Sequence, residues 1–442
     1  MGSRSDAAAA ADRSAGFLAT ARSRVRNAPF WIALIAFALR VAWIVIGHTY
    51  RFKSSDNHFG FGWEMGGIGA SLASGRGFSD PFGAGTGPTA WEPPLYPHII
   101  AGVFLLFGTY TKASAFVLLA LNSFFSALTC VPIFLIARRI FSERVAIGSA
   151  WAWALLPNVM FWCTRWVWET SLSAFLLAVI FWLALTLEER DDWLPWLEFG
   201  LLWGVAALNS PTLLSFLPAA GLWAWRRRFR RGKSSLAGVV LASAVFLGCI
   251  TPWLVRNHRT FGTFVFIRNN FGAELRMGNG PGADGTWMEY LHPTQNLYAL
   301  RQYKAMGELP YIAIRKRQAV EYIREDYTRF AGLCVKRFVY FWAGPPKATV
   351  PWWMNDVKNS LFLASTVLTI WGLGRALRLR REGAWLFFWV IMLFPAAYYV
   401  VFPGPRYRVP IEPEMAILCV FVVCSAEAKA STTEGTEDME EV

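Results

Sequence analysis

The sequence predicts an all-α integral membrane protein of about ten transmembrane helices, with extracytoplasmic loops that carry short amphipathic helices. Three observations carry that expectation. Of 442 residues, 55% are hydrophobic and only 17% charged, where a soluble domain carries roughly a quarter. Apolar runs of roughly 18–20 residues recur along the chain, long enough to cross the hydrocarbon core. Short basic clusters alternate with these runs in the pattern that orients membrane segments. The abundant Trp and Phe suit interfacial belts, where a ring is apolar on one side and its N–H wet on the other.

Residues 1–27, rich in Ala, Ser and Arg, form a cytoplasmic, disordered N-terminus. They close with Arg22, Arg24 and Arg26 ahead of the first apolar run, 30–46. That run is long for the apolar core of a signal peptide and no small-residue cleavage site follows, so it is an uncleaved first span. The polytopic membrane domain covers 28–428. Its first outer loop, 49–112, contains the Gly- and Pro-rich stretch 60–97, with Glu64 and Glu92 each beside a Trp. Within the loop 63–73 has helical spacing. Leu95–Phe107 is apolar but about 13 residues long, too short for a span, and lies in the interface or re-enters the bilayer. Residues 114–137 cross to Arg138 and Arg139, 145–162 return, and 170–187 come back to the charged cluster 188–192. Segments 194–208 and 212–225 form a hairpin around Asn209-Ser210-Pro211. It ends in Arg226, Arg227, Arg228, Arg230, Arg231 and Lys233, the strongest positive-inside signal in the chain. After the span 236–254 comes a second outer loop, 255–357, in which VFIRNN suggests a short strand and 310–343 an amphipathic helix on the membrane. Spans 358–375, 385–402 and 409–425 complete the bundle, with Arg375, Arg378, Arg380 and Arg381 inside, and 429–442 forms an acidic disordered tail. Both termini are then cytoplasmic.

The net charge of +13 would suggest nucleic acid in a soluble protein. In a membrane chain it orients loops, or meets anionic headgroups or a phosphate-bearing substrate. The six Cys form no CxxC or metal spacing, the five His no HExxH pair, and GNGPGADG (278–285) lacks both a strand–helix frame and a Walker lysine. It and PFGAGTGP (81–88) are turns that permit close backbone approach. Carboxylates beside spans are costly and have a task or a partner. Glu64, Glu92 and Glu169 could share the outer face. Against that, Glu64 could be a solvated loop acid, Glu92 a cap in its Trp-Glu-Pro-Pro turn, and Glu169 the partner of Arg165 one helical turn earlier. Cations suited to a phosphate are Arg256 with Asn257, Arg268, Arg276, Arg406 and Arg408, although Arg256 and Arg406 could equally snorkel to headgroups.

Five stretches in order resemble a known family: GWEMGGIGASLASGRGFSDPF (62–82) with PTAWEPPLYPHIIAGVFLLFG (88–108), IARRIF (136–141), LLPNVMFWCTRWVWETSLSAFLL (155–177), TPWLVRNHRTFGTFVFIRNNFG (251–272) with GNGP (278–281), and PGPRYRVPIEPEM (403–415). The chain resembles GT-C superfamily membrane glycosyltransferases, in the bacterial branch related to protein O-mannosyltransferases and aminoarabinose transferases. The resemblance implies an inverting transfer of sugar from a polyprenyl-phosphate donor to a lipid, glycan or protein hydroxyl, on the outer face of the cell membrane. It places Glu64 as catalytic base, where many relatives have Asp or an acidic pair. It matches Glu169 to a second carboxylate near the site and Arg256 and Arg406 to positions suited to the lipid phosphate, and the substrate contacts expected in all are Glu92, Arg165, Glu169, Arg256, Asn257, Asn279, Arg406 and Arg408. Arginine is the expected stabiliser of the departing phosphate, with a divalent cation as the alternative and no metal ligands assigned. A lipid-linked oligosaccharide ligase, a flippase for lipid-linked saccharide and a non-catalytic scaffold are the competing readings. The flippase would want mid-bilayer charges that the spans lack, and the scaffold leaves 60–97 unexplained.

Overall fold

The computed structural model describes residues 27–53, 58–233, 235–346 and 352–437, so most of the N-terminal 1–27 and the end of the acidic tail lie outside it. Among the described residues the chain is helical throughout, apart from one isolated bridge between Ser79 and Pro88. Helix α1 (Asn27–Ile46) is followed by the loop expected to be the first outer one, with α2 (Glu64–Ala73) and α3 (Leu95–Phe107) at the positions the sequence predicts. Helices α4 (Lys112–Leu128) and α5 (Cys130–Ile140) form one long rod. Its joint is Thr129, whose hydroxyl donates back to the Phe125 carbonyl at 2.8 Å. Helices α6 (Glu143–Leu155) and α7 (Pro157–Arg165) meet at a 46° bend. Pro157 has no N–H to continue the ladder, and it holds Leu156 extended.

The bundle continues through α8 (Thr170–Thr186), α9 (Leu194–Asn209), α10 (Leu217–Arg230) and α11 (Leu236–Phe261). The second outer loop then folds into α12 (Phe271–Asn279), α13 (Leu297–Met306), α14 (Glu308–Glu325) and α15 (Tyr327–Ala343). Helices α16 (Trp352–Arg378), α17 (Ala384–Leu393), α18 (Ala396–Val400) and α19 (Glu412–Glu437) close the chain. Every apolar segment expected to span falls on helix. Among the described residues four helices are long and apolar enough to cross on their own, and the bent pair α6–α7 would make a fifth if it is one span. Further crossings toward the expected ten would have to come from shorter helices such as α8 and α17–α18.

Two expectations change. VFIRNN is irregular rather than a strand, with a bend at Ile267 and no ladder to a neighbouring segment. Its carbonyls are taken by side chains instead, Ile267 O by Trp253 Nε1 (2.9 Å) and Phe266 O by Asn257 Nδ2 (3.1 Å). The helix expected over 310–343 is two, broken at Asp326, whose side chain caps α15 by accepting from Arg329 N at 2.8 Å.

Charge sorts the two ends of the bundle. Buried Glu188 at the end of α8 meets Arg227 (2.7 Å) and Arg231 (3.2 Å), while Glu382 meets Arg139 (3.2 Å) and Arg227 (2.9 Å). Four segments assigned to one side by their basic residues therefore converge. Helix α8, at 17 residues, carries the chain roughly 26 Å from this cluster to Glu169 at its other end. There a second apolar cluster, with Phe82, Trp91, Leu275, Tyr303 and Tyr311, packs the first outer loop against the second. Buried Glu308 pins that contact. Its carboxylate accepts from the Thr89 hydroxyl, from Ala90 N (3.0 Å) and from the Tyr303 hydroxyl (3.0 Å). Glu308→Ala strands those donors, so it is expected to cost roughly 2–3 kcal/mol. Thermal unfolding of the purified protein checks it, and an unchanged Tm would show that Glu308 does not tie the loops.

Candidate active site

Small residues and side-chain clamps set the first loop. Gly62 has φ +82°, and a Cβ there would sit 2.3 Å from the Val167 carbonyl, so the chain passes as close as backbone allows. Val167 N donates to Gly60 O (3.0 Å) and Trp166 Nε1 to Phe59 O (2.6 Å), while Asn122 Nδ2 holds Trp166 O (3.1 Å). Trp63 also has positive φ, an uncommon conformation for a bulky residue. This turn starts α2 with Glu64 beside the 166–168 segment that leads to Glu169 and α8. Both carboxylates thus stand at helix N-termini, where the helix dipole favours negative charge.

Glu64 is 5% exposed and its Oε1 lies 2.9 Å from Nε2 of buried His292, in the second outer loop. The imidazole is framed by the rings of Trp63, Phe82, Trp91 and Trp287, and its Nδ1 meets the Thr294 hydroxyl at 2.6 Å. Glu92 Oε1 lies 3.2 Å from Arg268 Nη2, and Arg268 Nε donates to Trp91 O at 3.2 Å. Arg406 stacks over Trp166 (4.4 Å) and Trp168 (4.3 Å), and donates to the Tyr407 hydroxyl at 2.9 Å. Glu274 completes the group, accepting from Asn270 Nδ2 at 2.9 Å.

Burial would push the Glu64 carboxyl up, but His292 and Arg406 outweigh it and hold the group below the usual carboxylate range. Burial dominates for Glu92, which sits well above that range although Arg268 draws it down. Glu169 is pushed up to about 7 by burial, partly offset by Arg406 and Arg268, and Glu274 is also raised by burial. One site therefore holds carboxyls whose affinities for a proton are driven in opposite directions, Glu64 down and Glu92, Glu169 and Glu274 up. Glu64 Oε2, Glu92 Oε2, Glu169 Oε2 and Arg406 Nη1 are buried with no hydrogen-bond partner among the described residues. Acceptors and a cationic donor are left open together, as a site for an anionic, hydroxyl-bearing ligand requires. Among the described residues no three His, Cys, Asp or Glu side chains are grouped to hold a metal ion, and the imidazole beside Glu64 is committed to that carboxylate.

Five expected contacts lie elsewhere. Arg165 ends α7 and stacks on Phe161. The extended 166–168 segment removes the helical turn that would have paired it with Glu169. Arg256 clamps the carbonyls of Phe78 and Thr89, both at 2.7 Å, and Asn257 holds Val265 and Phe266. Asn279 donates to Leu275 O and Val400 O and accepts from Arg337 (3.0 Å). Arg408 turns inward to Glu412 (3.1 Å) and the α16 hydroxyls. Glu92, which a cap would leave at a turn, is instead a buried partner of Arg268. His292 and Glu274 escape a reading based on ligand spacing. The available signal for His292 was a lone imidazole in a Trp-bearing loop placed on the same side as the three acids.

Residues 91–255 match the model of the dolichyl-phosphate-mannose-protein mannosyltransferase family. No curated protein matches the sequence. The apo oligosaccharyltransferase of Archaeoglobus fulgidus shares the fold at TM-score 0.52 and 14% identity, over 93% of this chain and 52% of its own. The same enzyme tethered to an acceptor peptide with the NVT sequon gives 0.51 and 15%, over 91% and 50%. ArnT from Cupriavidus metallidurans aligns at 0.36 and 12%, over 87% and 76%. The chain thus spans about half the length of the oligosaccharyltransferase it matches, and its resemblance to GT-C membrane glycosyltransferases extends from sequence to fold.

The Glu92–Arg268 pair has a measurable consequence. Arg268→Met leaves a buried carboxyl without its cation and is expected to cost about 3 kcal/mol while Glu92 is ionised, and less as the pH falls and the carboxyl takes up a proton. Adding Glu92→Gln should recover most of the loss. A double variant as unstable as the single one would show that the two groups are not coupled.

Proposed function

We propose that this protein is an inverting, polyprenyl-phosphate-sugar-dependent glycosyltransferase acting on the outer face of the cell membrane, with a lipid, glycan or protein hydroxyl as acceptor. The observation that carries this reading is Glu64: one carboxylate oxygen is held by His292, the other is buried, open and below the usual pKa range, with an unpartnered Arg406 nitrogen in the same cluster.

An acceptor hydroxyl is a weak nucleophile near neutral pH. Placed against the open oxygen of Glu64, it loses its proton to the carboxylate as its oxygen bonds to the anomeric carbon. The bond from that carbon to the phosphate oxygen breaks on the opposite side, so the configuration inverts and polyprenyl phosphate departs with the bonding pair. His292 holds Glu64 in orientation and in its ionised form. The free Nη1 of Arg406 meets the charge that builds on the phosphate, in a site whose burial strengthens the contact. Glu169, neutral below about 7, donates its proton in a hydrogen bond to a phosphate oxygen, whereas its ionised form repels that oxygen. The aromatic walls of Trp63, Trp166 and Trp168 offer faces to the sugar and the first isoprene units.

Glu64→Gln keeps size and hydrogen bonding but removes the base. In liposomes with a polyprenyl-phosphate sugar donor it is expected to slow transfer by at least a hundredfold, on the order of what general-base loss costs. A wild-type rate would end the assignment. The donor KM is expected to rise as pH climbs through about 7, where Glu169 ionises, and to stay flat in Glu169→Gln; a KM rise that survives the substitution would clear Glu169 of this role. For the orientation, Cys introduced within 60–90 or 275–300 should react with impermeant reagent from outside intact cells. Labelling only from the cytoplasmic side would reverse the topology.

A further inference from the structure

At the end of the bundle remote from Glu64 lies a groove of about 950 Å³ between α10, α17 and the end of α16. Its charged and apolar linings are segregated along its length. Helix α10 reaches the rim with Arg226 and Arg230, and the turn before α17 brings Arg380 and Arg381 to the same rim. All four guanidiniums are exposed and have no carboxylate partner among the described residues. Glu382, the acid in the lining, is already held by Arg139 and Arg227. Away from the rim the walls are Leu222, Trp385, Trp389 and Leu393, and the first three are exposed although large and apolar.

The dimensions match one leaflet. From Arg226 back to Pro218, and from Ala384 on to Leu393, each wall runs roughly 12–14 Å at helical rise. That is close to half of the roughly 30 Å hydrocarbon core. A trough of leaflet depth, apolar along its length and tetracationic at its mouth, has the chemistry of neither a soluble metabolite site nor plain lipid-facing surface, which carries no such charge cluster over a concavity. We propose that this groove is a binding site for an anionic phospholipid, its phosphate held by Arg226, Arg230, Arg380 and Arg381 and one acyl chain laid along the apolar wall. Planar guanidiniums suit phosphate oxygens through paired N–H bonds. The site is separate from the proposed catalytic cluster and does not depend on its assignment.

The test uses the full-length purified protein in neutral detergent, titrated with phosphatidylglycerol, phosphatidylcholine or polyprenyl phosphate and read by native mass spectrometry for retained lipid. Phosphatidylglycerol is expected to be retained and phosphatidylcholine not. R226Q/R230Q/R380Q/R381Q is expected to weaken retention by on the order of a hundredfold, while its Tm without lipid stays that of the wild type. If the quadruple variant does not fold, R226Q/R230Q and R380Q/R381Q are each expected to weaken it by roughly tenfold. R406Q, at the other end of the bundle, is expected to leave retention intact. Equal retention of phosphatidylcholine, retention of polyprenyl phosphate alone, or phosphatidylglycerol binding that is lost in R406Q but survives the groove variants would each overturn the proposal.

Discussion

A carboxylate almost out of water needs a polar partner, and the pairing of Glu64 with His292 is the contact on which this end of the molecule depends. Glu64 belongs to the first outer loop and His292 to the second, more than two hundred residues later. Bringing them to 2.9 Å folds one loop over the other. The aromatic cluster of Phe82, Trp91, Tyr303 and Tyr311 fills the space between the loops, and Glu308 fastens the same contact from its far side. Apolar packing supplies area, but the buried charges set the register, since a shift would leave each of them alone in a low dielectric.

The two ends of α8 show how the same chemistry serves two purposes. At one end, buried Glu188 receives two bonds from Arg227 and a third from Arg231, while Glu382 closes the ring of arginines. Both carboxylate oxygens of Glu188 are paired, and the net ties helix ends together. At the other end, Glu64, Glu92 and Glu169 each keep one buried oxygen without a partner, and Arg406 keeps a nitrogen. Saturated networks stabilise; open ones are ready to receive something. The contrast, more than the number of charges, marks the Glu64 end as the candidate site.

The Gly-rich stretch that draws the eye in the sequence is scaffold. Asp80 gathers it by accepting from Thr86 N and Gly87 N, both at 3.1 Å, so the positive-φ glycines 83, 85 and 87 form a closed turn. Arg256 then grips the stretch on both sides of that turn, at Phe78 and Thr89. An arginine suited by type to phosphate is used up on backbone carbonyls, which fixes the wall against which Arg268 and Glu92 sit.

Apolar runs and basic clusters made the helical membrane-type fold legible in the sequence, because hydrophobic length and charge asymmetry are local properties of the chain. The short helices Glu64–Ala73 and Leu95–Phe107 followed from spacing alone, and three of the four clustered carboxylates were found as acids beside apolar segments. Which cation serves which acid was not legible, since a pair such as Glu64–His292 or Glu92–Arg268 joins segments about two hundred residues apart and leaves no spacing to read. Nor could the sequence separate Arg406, whose free nitrogen stays in the cluster, from Arg408 two residues on, which turns away to Glu412. Their residue type is the same. Only the path of the short helical turn at 405–411 points one side chain into the site and the other into the bundle.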